Sequence, residues 1–419
     1  MKRALVLGLA RSGEAAALAL RSQGVEVVGY DRDRALAAEV VGRLVAAAVE
    51  VHLGEEDDAL LRGIDAVIKS PGIPSDRPLV TGARARGIPV LSEIELGARL
   101  LTNPLVGITG TNGKTTTTAL LGAMFDAAGR SAEVAGNIGR PLTSLVGHIA
   151  DDAWILCELS SFQLEDVKTL QPRIAVLLNL EPDHIDRHGS FGAYRDAKLR
   201  VFERQTDADV AIVPRGFDPV PGAGRRIEFA AADPLPAKPR IPGEHNRENA
   251  AAAVAAARAV GLADEAIAEG LRTFPGVEHR IEELREIAGV RFVNDSKATN
   301  VAAARRAIAS FDAPLHVILG GLGKHESFDP LVAAFGPADR AYLIGAAADE
   351  IGVALERAGV SFQQSGDLAT ALRTAVAAAR AGDIVLLSPA CASFDQFESY
   401  EHRGNAFRRL VDELDEDSQ

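Results

Sequence analysis

Residues 107–115 read Gly-Ile-Thr-Gly-Thr-Asn-Gly-Lys-Thr and lie between an apolar run and an alanine-rich stretch. In such a loop glycine N–H groups can curl around phosphate oxygens, and the helix that follows adds a favourable dipole. Lys114 can then reach terminal phosphates, and Thr115 can ligate Mg²⁺. The strict G-x-x-x-x-G-K-[ST] pattern is not met, because Ile108 stands at the first glycine position. The tighter core of Gly110, Thr111, Asn112, Gly113, Lys114 and Thr115, with Thr116 behind it, reads as a variant of that loop. The alternative, a glycine turn with a surface lysine, is disfavoured by the strand-then-helix setting.

Further clusters extend the chemistry. Glu158 ends the run AWILCE, where nucleoside-triphosphate-hydrolysing folds place a carboxylate for Mg²⁺. In residues 179–188, Glu181, Asp183 and Asp186 crowd with His184 and His188, and Lys198 follows in YRDAKLR. That density favours metal or phosphate work over a solvated loop, although His188 alone reads as structural. At the N-terminus, Gly8, Arg11, Ser12 and Gly13 form a Rossmann-like turn, with Asp31 at the end of the next strand. A dinucleotide site, another nucleotide diphosphate and a structural βα turn all fit it. Ser70, Pro71 and Gly72 could offer amides to a phosphate or simply turn the chain. His245, Asn246 and Asn249 read equally as helix caps or nucleotide contacts, and an arginine at the next junction, in His279-Arg280, could reach a phosphate. Residues 294–300 (NDSKATN), the glycine-lysine loop 320–324 and residues 388–395 (SPACASFD) each follow a strand, at the edge where open α/β sheets bind ligands.

The elements that must position these residues are legible in outline. Short apolar runs at 2–8, 25–31, 65–70 and 88–91 alternate with Ala/Leu-rich helical spacing, which is a βαβ rhythm and predicts a parallel sheet. The rhythm pauses at Thr102-Asn103-Pro104 and restarts with LVGITG, continuing through AWILCEL and RIAVLLNL. Residues 214–243, rich in Pro and Gly, read as irregular connection, and 246–261 as a helix ending at glycine. RFVND, LHVILGG, RAYLIG and DIVLLS then predict a third sheet. The expectation is an α/β chain of three domains over residues 1–102, 103–277 and 278–419.

Composition sets the boundaries. A chain of 419 residues with 47% hydrophobic content exceeds one core, yet no apolar run approaches the roughly 18 residues of a membrane span. The start MKRALVLGLARSG reads as a first strand rather than a signal peptide. Two distant cysteines, Cys157 and Cys391, give no disulfide framework or zinc spacing, which fits a reducing cytoplasm. A net charge of −13 without a basic block argues against nucleic-acid binding, so anionic small molecules would need locally placed cations.

The loop at 107–115, AGNIG at 135–139, ELSSFQLE at 158–165, DHIDRH at 183–188, Lys198, His245-Asn246, His279-Arg280, NDSKATN and SPACASFDQF together resemble the Mur ligase superfamily over essentially the whole chain. The last two segments point to its glutamate-adding member. The resemblance implies an N-terminal Rossmann-like UDP-binding domain, a central P-loop-type ATPase domain and a C-terminal Rossmann-like domain that receives the amino acid. It implies ATP-dependent addition of D-glutamate to UDP-N-acetylmuramoyl-L-alanine through an acyl phosphate, in cytoplasmic peptidoglycan precursor synthesis. By the same likeness Gly8, Arg11, Ser12, Gly13, Asp31, Arg32, Ser70, Pro71, Gly72, Asn137 and Ser160 would hold the UDP-substrate. Residues 110–116 with Asn246, Arg280 and Asp295 would hold ATP, and Lys297, Thr299, Lys324, Ser393 and Tyr400 the amino acid. Thr115 and Glu158 would bind one Mg²⁺, and His184 with Lys198 as its carbamate a second, Mn²⁺ being an alternative ion. Lys114, Asn137, His184 and Lys198 would be catalytic. Neither nucleic acid nor membrane insertion is implied, and a monomer is expected.

Two other classes are weighed against this one. A nicotinamide oxidoreductase would use the first turn and leave Lys114 idle; a nucleotide switch would use Lys114 and leave the C-terminal clusters idle.

Overall fold

The computed structural model describes residues 1–323 and 326–416. Its strands form three sheets, each built from one contiguous stretch of sequence. The first holds β1 (Arg3–Leu7), β2 (Glu26–Asp31), β3 (Glu50–Leu53), β4 (Ala66–Lys69) and β5 (Val90–Ser92), in the order β3-β2-β1-β4-β5 and parallel throughout. The second holds β6 (Leu105–Thr109), β7 (Ala132–Gly136), β8 (Trp154–Glu158), β9 (Ile174–Leu177), β10 (Val210–Pro214) and β11 (Arg225–Phe229). Its order is β11-β10-β9-β6-β8-β7, again parallel. The third holds β12 (Glu282–Ile287), β13 (Val290–Asn294), β14 (Leu315–Gly320), β15 (Arg340–Ile344), β16 (Ser361–Gly366) and β17 (Ile384–Leu387), ordered β12-β13-β17-β14-β15-β16.

Central strands such as β9 and β17 are apolar from end to end because helices cover both faces of a parallel sheet. Edge strands carry less of this signal. Contrary to expectation, residues 214–243 are not wholly irregular: β11 reads RRIEF, exposed on most of its length, and pairs in parallel with β10 at the sheet edge. One solvated face removes the apolar run that would have announced it. The third sheet also departs from all-parallel pairing, since β12 runs antiparallel to β13 through a tight turn at Gly289.

By internal packing the chain forms two compact units. Met1–Pro239 with His245–Phe274 makes the first, which contains two sheets; Arg240–Glu244 with Pro275–Gln419 makes the second. Within the first unit, buried carboxylates tie the two sheets together. Glu95 in helix Glu93–Leu100 accepts the N–H groups of Lys168, Thr169 and Leu170. Its neighbour Glu93, pushed upward in pKa by full burial, accepts both the N–H and the hydroxyl of Thr143.

Candidate active site

In an open α/β sheet, ligands collect beyond the strand C-termini, where adjacent strands lead their connections in opposite directions. In the first sheet that point lies between β1 and β4. Gly8 follows one and Ser70 the other, and the Ser70 hydroxyl donates to the Gly8 carbonyl at 2.8 Å. Gly13 must be glycine, because a Cβ there would lie 1.7 Å from the Gly8 oxygen. A cavity of about 220 Å³ opens beside this turn, lined by Gly8, Tyr30, Arg32 and Ile73 among others. Asp31 spends its oxygens on the backbone, accepting Leu9 N–H at 2.7 Å and Asp33 N–H at 2.9 Å, so it shapes the turn. Arg11 donates to the carbonyl of Gly139, which brings residues 135–139 to the same place. Ser160 caps the short helix Ser161–Leu164 in a reciprocal capping box with Gln163.

In the second sheet the corresponding point is between β6 and β9. The loop after β6 is laced to the end of β9: Thr111 N–H donates to the Asn179 carbonyl at 3.0 Å, and Asn112 N–H to its side chain at 2.9 Å. Gly113 has a φ of +81°, and a Cβ on it would fall 2.1 Å from Asn249 Oδ1. The asparagines thus do not cap their helix. It begins at Glu244, placing Asn246 and Asn249 inside its first turns, buried, with Asn249 against the glycine loop at Gly113. Lys114 opens helix Lys114–Ala127 and folds back to donate to the carbonyls of Gly110 and Thr111, both at 2.9 Å. Thr115 and Thr116 are buried beside it.

Lys198 reaches the same loop from helix Phe191–Leu199. Only 2% exposed, it donates to the Gly110 carbonyl at 2.7 Å, and its Nζ lies 4.8 Å from the centre of the Tyr194 ring. Burial first, then the Lys114 charge, hold its pKa well below the usual lysine range. Glu158 closes β8 fully buried. Its Oε1 accepts the Asn137 amide at 2.7 Å, while Oε2 has no hydrogen-bond partner. A buried carboxylate oxygen without a donor, beside a phosphate loop, is the chemistry a hard cation requires. Among the described residues no three His, Cys, Asp or Glu side chains converge as a ready cage, so a metal here would also need donors such as the Thr115 hydroxyl.

His184 stands exposed at the head of helix Ile185–His188, with φ +52° and its ring 4.8 Å from that of Phe162. The turn is strapped to the loop after β4 by a residue that sequence reasoning did not single out. Arg187 donates to the carbonyls of Pro71 at 2.7 Å and Ile73 at 3.1 Å, and its guanidinium lies 3.9 Å from the Phe162 ring centre. Beneath it Lys69, 1% exposed, meets Glu165 at 3.0 Å and Asp166 at 2.9 Å. His188 bonds the Ser161 hydroxyl and stacks on Phe162, a structural role as expected.

The second unit gathers its three polar loops at the C-terminal ends of the adjacent strands β13, β17 and β14. Asp295 is buried, accepts from the Ser388 hydroxyl at 2.7 Å, and is pushed up to about 7 by burial. Arg280 has a buried Nε without a partner. Lys297 lies 5.5 Å from the Tyr400 ring centre, Thr299 N–H donates to the Lys297 carbonyl, and Ser393 is buried in the loop after β17. Lys324 lies outside the described residues. Sequence reasoning also passed over Arg403, 1% exposed in helix Tyr400–Glu416; burial pulls its guanidinium down to about 10. Nothing in the spacing of EHRGN marks it, because its significance lies in what it touches.

Three family models match the chain in order: the Mur ligase MurD-like N-terminal domain over residues 2–92, the Mur ligase middle domain over 108–219, and the Mur ligase glutamate ligase domain over 279–391. The UDP-N-acetylmuramoylalanine--D-glutamate ligase of Acidobacterium capsulatum is 42% identical over 445 residues, covering 98% of this chain and 96% of that protein. Among solved structures, the UDP-N-acetylmuramate-alanine ligase MurC of Thermotoga maritima matches with a TM-score of 0.62 at 18% identity, covering 99% of this chain and 100% of that one. MurF ligase of the same organism, in complex with ADP, matches with a TM-score of 0.62 at 16% identity, covering 93% and 96%. The two structures speak for the fold alone. Identity and coverage of the relative, with three domain models in the order of the three sheets, carry the conclusion: the chain belongs to the Mur ligase family.

Proposed function

We propose that this protein is an ATP-dependent amide ligase that adds D-glutamate to UDP-N-acetylmuramoyl-L-alanine, a step of peptidoglycan precursor synthesis. The observation that carries the reading is the loop of residues 110–115, where Lys114, the Lys198 amine and the unpartnered Glu158 oxygen surround one phosphate-binding turn. The identity to the D-glutamate ligase of A. capsulatum supports the substrate pair.

The substrate's alanine carboxylate is a poor electrophile until ATP phosphorylates it. Lys114 would hold the terminal phosphates and offset charge on the oxygens as the γ-phosphoryl group moves to that carboxylate. Thr115 and Glu158 would hold one magnesium, and His184 with the Lys198 carbamate a second. Magnesium, when bound, supplies further charge neutralisation at the phosphoryl oxygens. A lysine kept out of water, with a neutral amine, suits reaction with CO₂, and the resulting carbamate offers oxygens to a hard cation. The unprotonated amine of glutamate then attacks the acyl phosphate; the new C–N bond forms as the C–O bond to phosphate breaks, and the amine gives up a proton. Asn137, bonded to Glu158, lies near the transferred phosphate in this reading. Residues 8–13, 31–32 and 70–72 with Ser160 seat the UDP part, Asn246, Arg280 and Asp295 complete ATP binding, and Lys297, Thr299, Lys324, Ser393 and Tyr400 take glutamate.

The division into domains at 102/103 and 277/278 belongs to the same reading, as does a monomer acting in a reducing cytoplasm. Two buried free thiols fit that compartment, and among the described residues no helix is long and apolar enough to cross a membrane. The test is ADP release with UDP-N-acetylmuramoyl-L-alanine and each glutamate enantiomer. Release with D-glutamate only is expected; none above background with D-glutamate would end the proposal.

A further inference from the structure

Arg403 is a cation the proposed chemistry does not use, and it is almost wholly buried. Its Nε donates to the Ser296 hydroxyl at 3.0 Å, and one terminal nitrogen donates to the Ser296 carbonyl at 2.9 Å and the Cys391 carbonyl at 3.1 Å. The other donates to the Ala392 carbonyl at 3.3 Å and would sit 3.1 Å from a Cβ placed on Gly321. One guanidinium therefore bonds the loops after β13 and β17 together and lies beside Gly321 of the loop after β14. The Ser296 hydroxyl in turn donates to the Tyr400 carbonyl at 2.8 Å, closing the ring back onto the arginine's own helix.

Among the described residues the guanidinium's hydrogen-bond partners are neutral oxygens, and the carboxylates that act on it, Asp395 and Asp295, do so without a hydrogen bond to it. A buried cation bonded to one hydroxyl and three carbonyl oxygens, with carboxylates acting on it only from farther off, keeps positive charge at the back of these loops. Lys297 adds a second cation on the same loop as Ser296. The arrangement suits an acceptor that arrives with two negative charges.

We infer that Arg403 is a positioning residue of the amino-acid half-site, which ties the loops after β13 and β17 together beside Gly321 and whose charge biases that site toward a dianionic amino acid. The inference rests on the proposed function and deepens it. Arg403 does not touch the reacting atoms; it acts through Ser296, Cys391 and Ala392 on the loops that carry Lys297 and Ser393.

Two substitutions separate splice from charge. Lysine keeps the charge but cannot reproduce the forked bonding to both loops with one compact ammonium, and methionine removes both. The full-length wild-type, Arg403→Lys and Arg403→Met proteins are compared by ADP release against ATP, D-glutamate and neutral D-glutamine. Arg403→Lys should raise the KM for glutamate about tenfold while leaving the KM for ATP within about twofold, the loss of one or two charge-assisted hydrogen bonds. It should keep the preference for glutamate over glutamine, and Arg403→Met should lose most of that preference. Equal rises in both KM values, an unchanged preference in Arg403→Met, or failure of even Arg403→Lys to fold would each reduce Arg403 to a structural residue and overturn the inference. If wild-type protein instead turns over with another amino acid, the proposed substrate is wrong. The same variants measured with that amino acid then decide the role of Arg403 separately.

Discussion

Lys114 and Lys198 share one acceptor: both ammonium nitrogens donate to the carbonyl oxygen of Gly110, at 2.9 Å and 2.7 Å. Two cations on one oxygen repel, and the more deeply buried one yields. Burial first, and then the Lys114 charge, hold the pKa of Lys198 well below the usual lysine range. In the proposed mechanism Lys114 serves the phosphates and Lys198 reacts with CO₂, and the two roles can be tested separately.

Lys198→Ala is expected to fold normally and to lose nearly all turnover, with partial recovery in added formate or acetate that fills the vacated anionic position. Full activity would refute the role of the lysine; inactivity without rescue, with an unmodified mass at Lys198 in the active wild type, would refute the carbamate. Lys114→Ala should lower turnover by about 10³-fold without rescue, as loss of a cationic clamp on a transferring phosphoryl group does.

Gly113→Ala places a methyl group against Asn249 at a backbone angle that L side chains rarely adopt. The KM for ATP should rise about tenfold or more with little change in that for glutamate, a displacement of an ångström at a bound phosphate being enough. Adding Asn249→Ala should restore part of the loss. A double mutant no better than the single would mean that backbone strain alone is responsible.

Lys69→Met leaves Glu165 and Asp166 beside an apolar side chain, with Arg84 still 2.8 Å from Asp166. Breaking a buried pair from one side costs about 3 kcal/mol, and urea unfolding followed in the first unit should register it. The KM for the UDP-substrate should rise as well, because the Lys69 ammonium also holds the Ile73 carbonyl and the Ser75 hydroxyl. Unaltered stability would show that the network is solvated in solution.

Asp295 supplies a pH test. Its folded-state pKa is raised from 3.8 to about 7. Its contribution is therefore fully present below the unfolded value and is lost as pH rises through the folded one. Between pH 5 and 8.5 the wild type should lose stability on the order of 3 kcal/mol through this group. Asp295→Asn, which cannot ionise, should be close to wild type at pH 5 and more stable than it at pH 8.5, as read by melting temperature. Parallel curves for the two proteins would show that the group does not titrate in this window.

The sequence disclosed what periodicity and glycine spacing encode. Strands buried on both faces, such as β6 and β14, stood out as apolar runs, and the loops after them were found by their glycines and polar density. Edge strands β11 and β16, exposed on most residues, carry no such run and were passed over. The same division holds at the site. Lys114 and Glu158 sit in local patterns with a chemical meaning, whereas Arg187 and Arg403 act through carbonyls more than a hundred residues away and just beside, a relation no local window contains. Asn249 read equally as a cap or a nucleotide contact because polar residues near a helix start are often caps; its approach to Gly113 sets it apart from a cap.

The second compact unit is not one stretch of chain. Arg240–Glu244 belongs to it, the helix Glu244–Val260 returns to the first unit, and the chain leaves again at Pro275. Ile241 sits 3.3 Å from where a Cβ on Gly276 would stand, so the early segment packs on the start of the later one. For anyone building chimaeras between relatives, a single crossover near residue 275 would graft a foreign C-terminal sheet onto the wrong five-residue neighbour; two junctions, at 240–244 and at 275, have to be exchanged as a set.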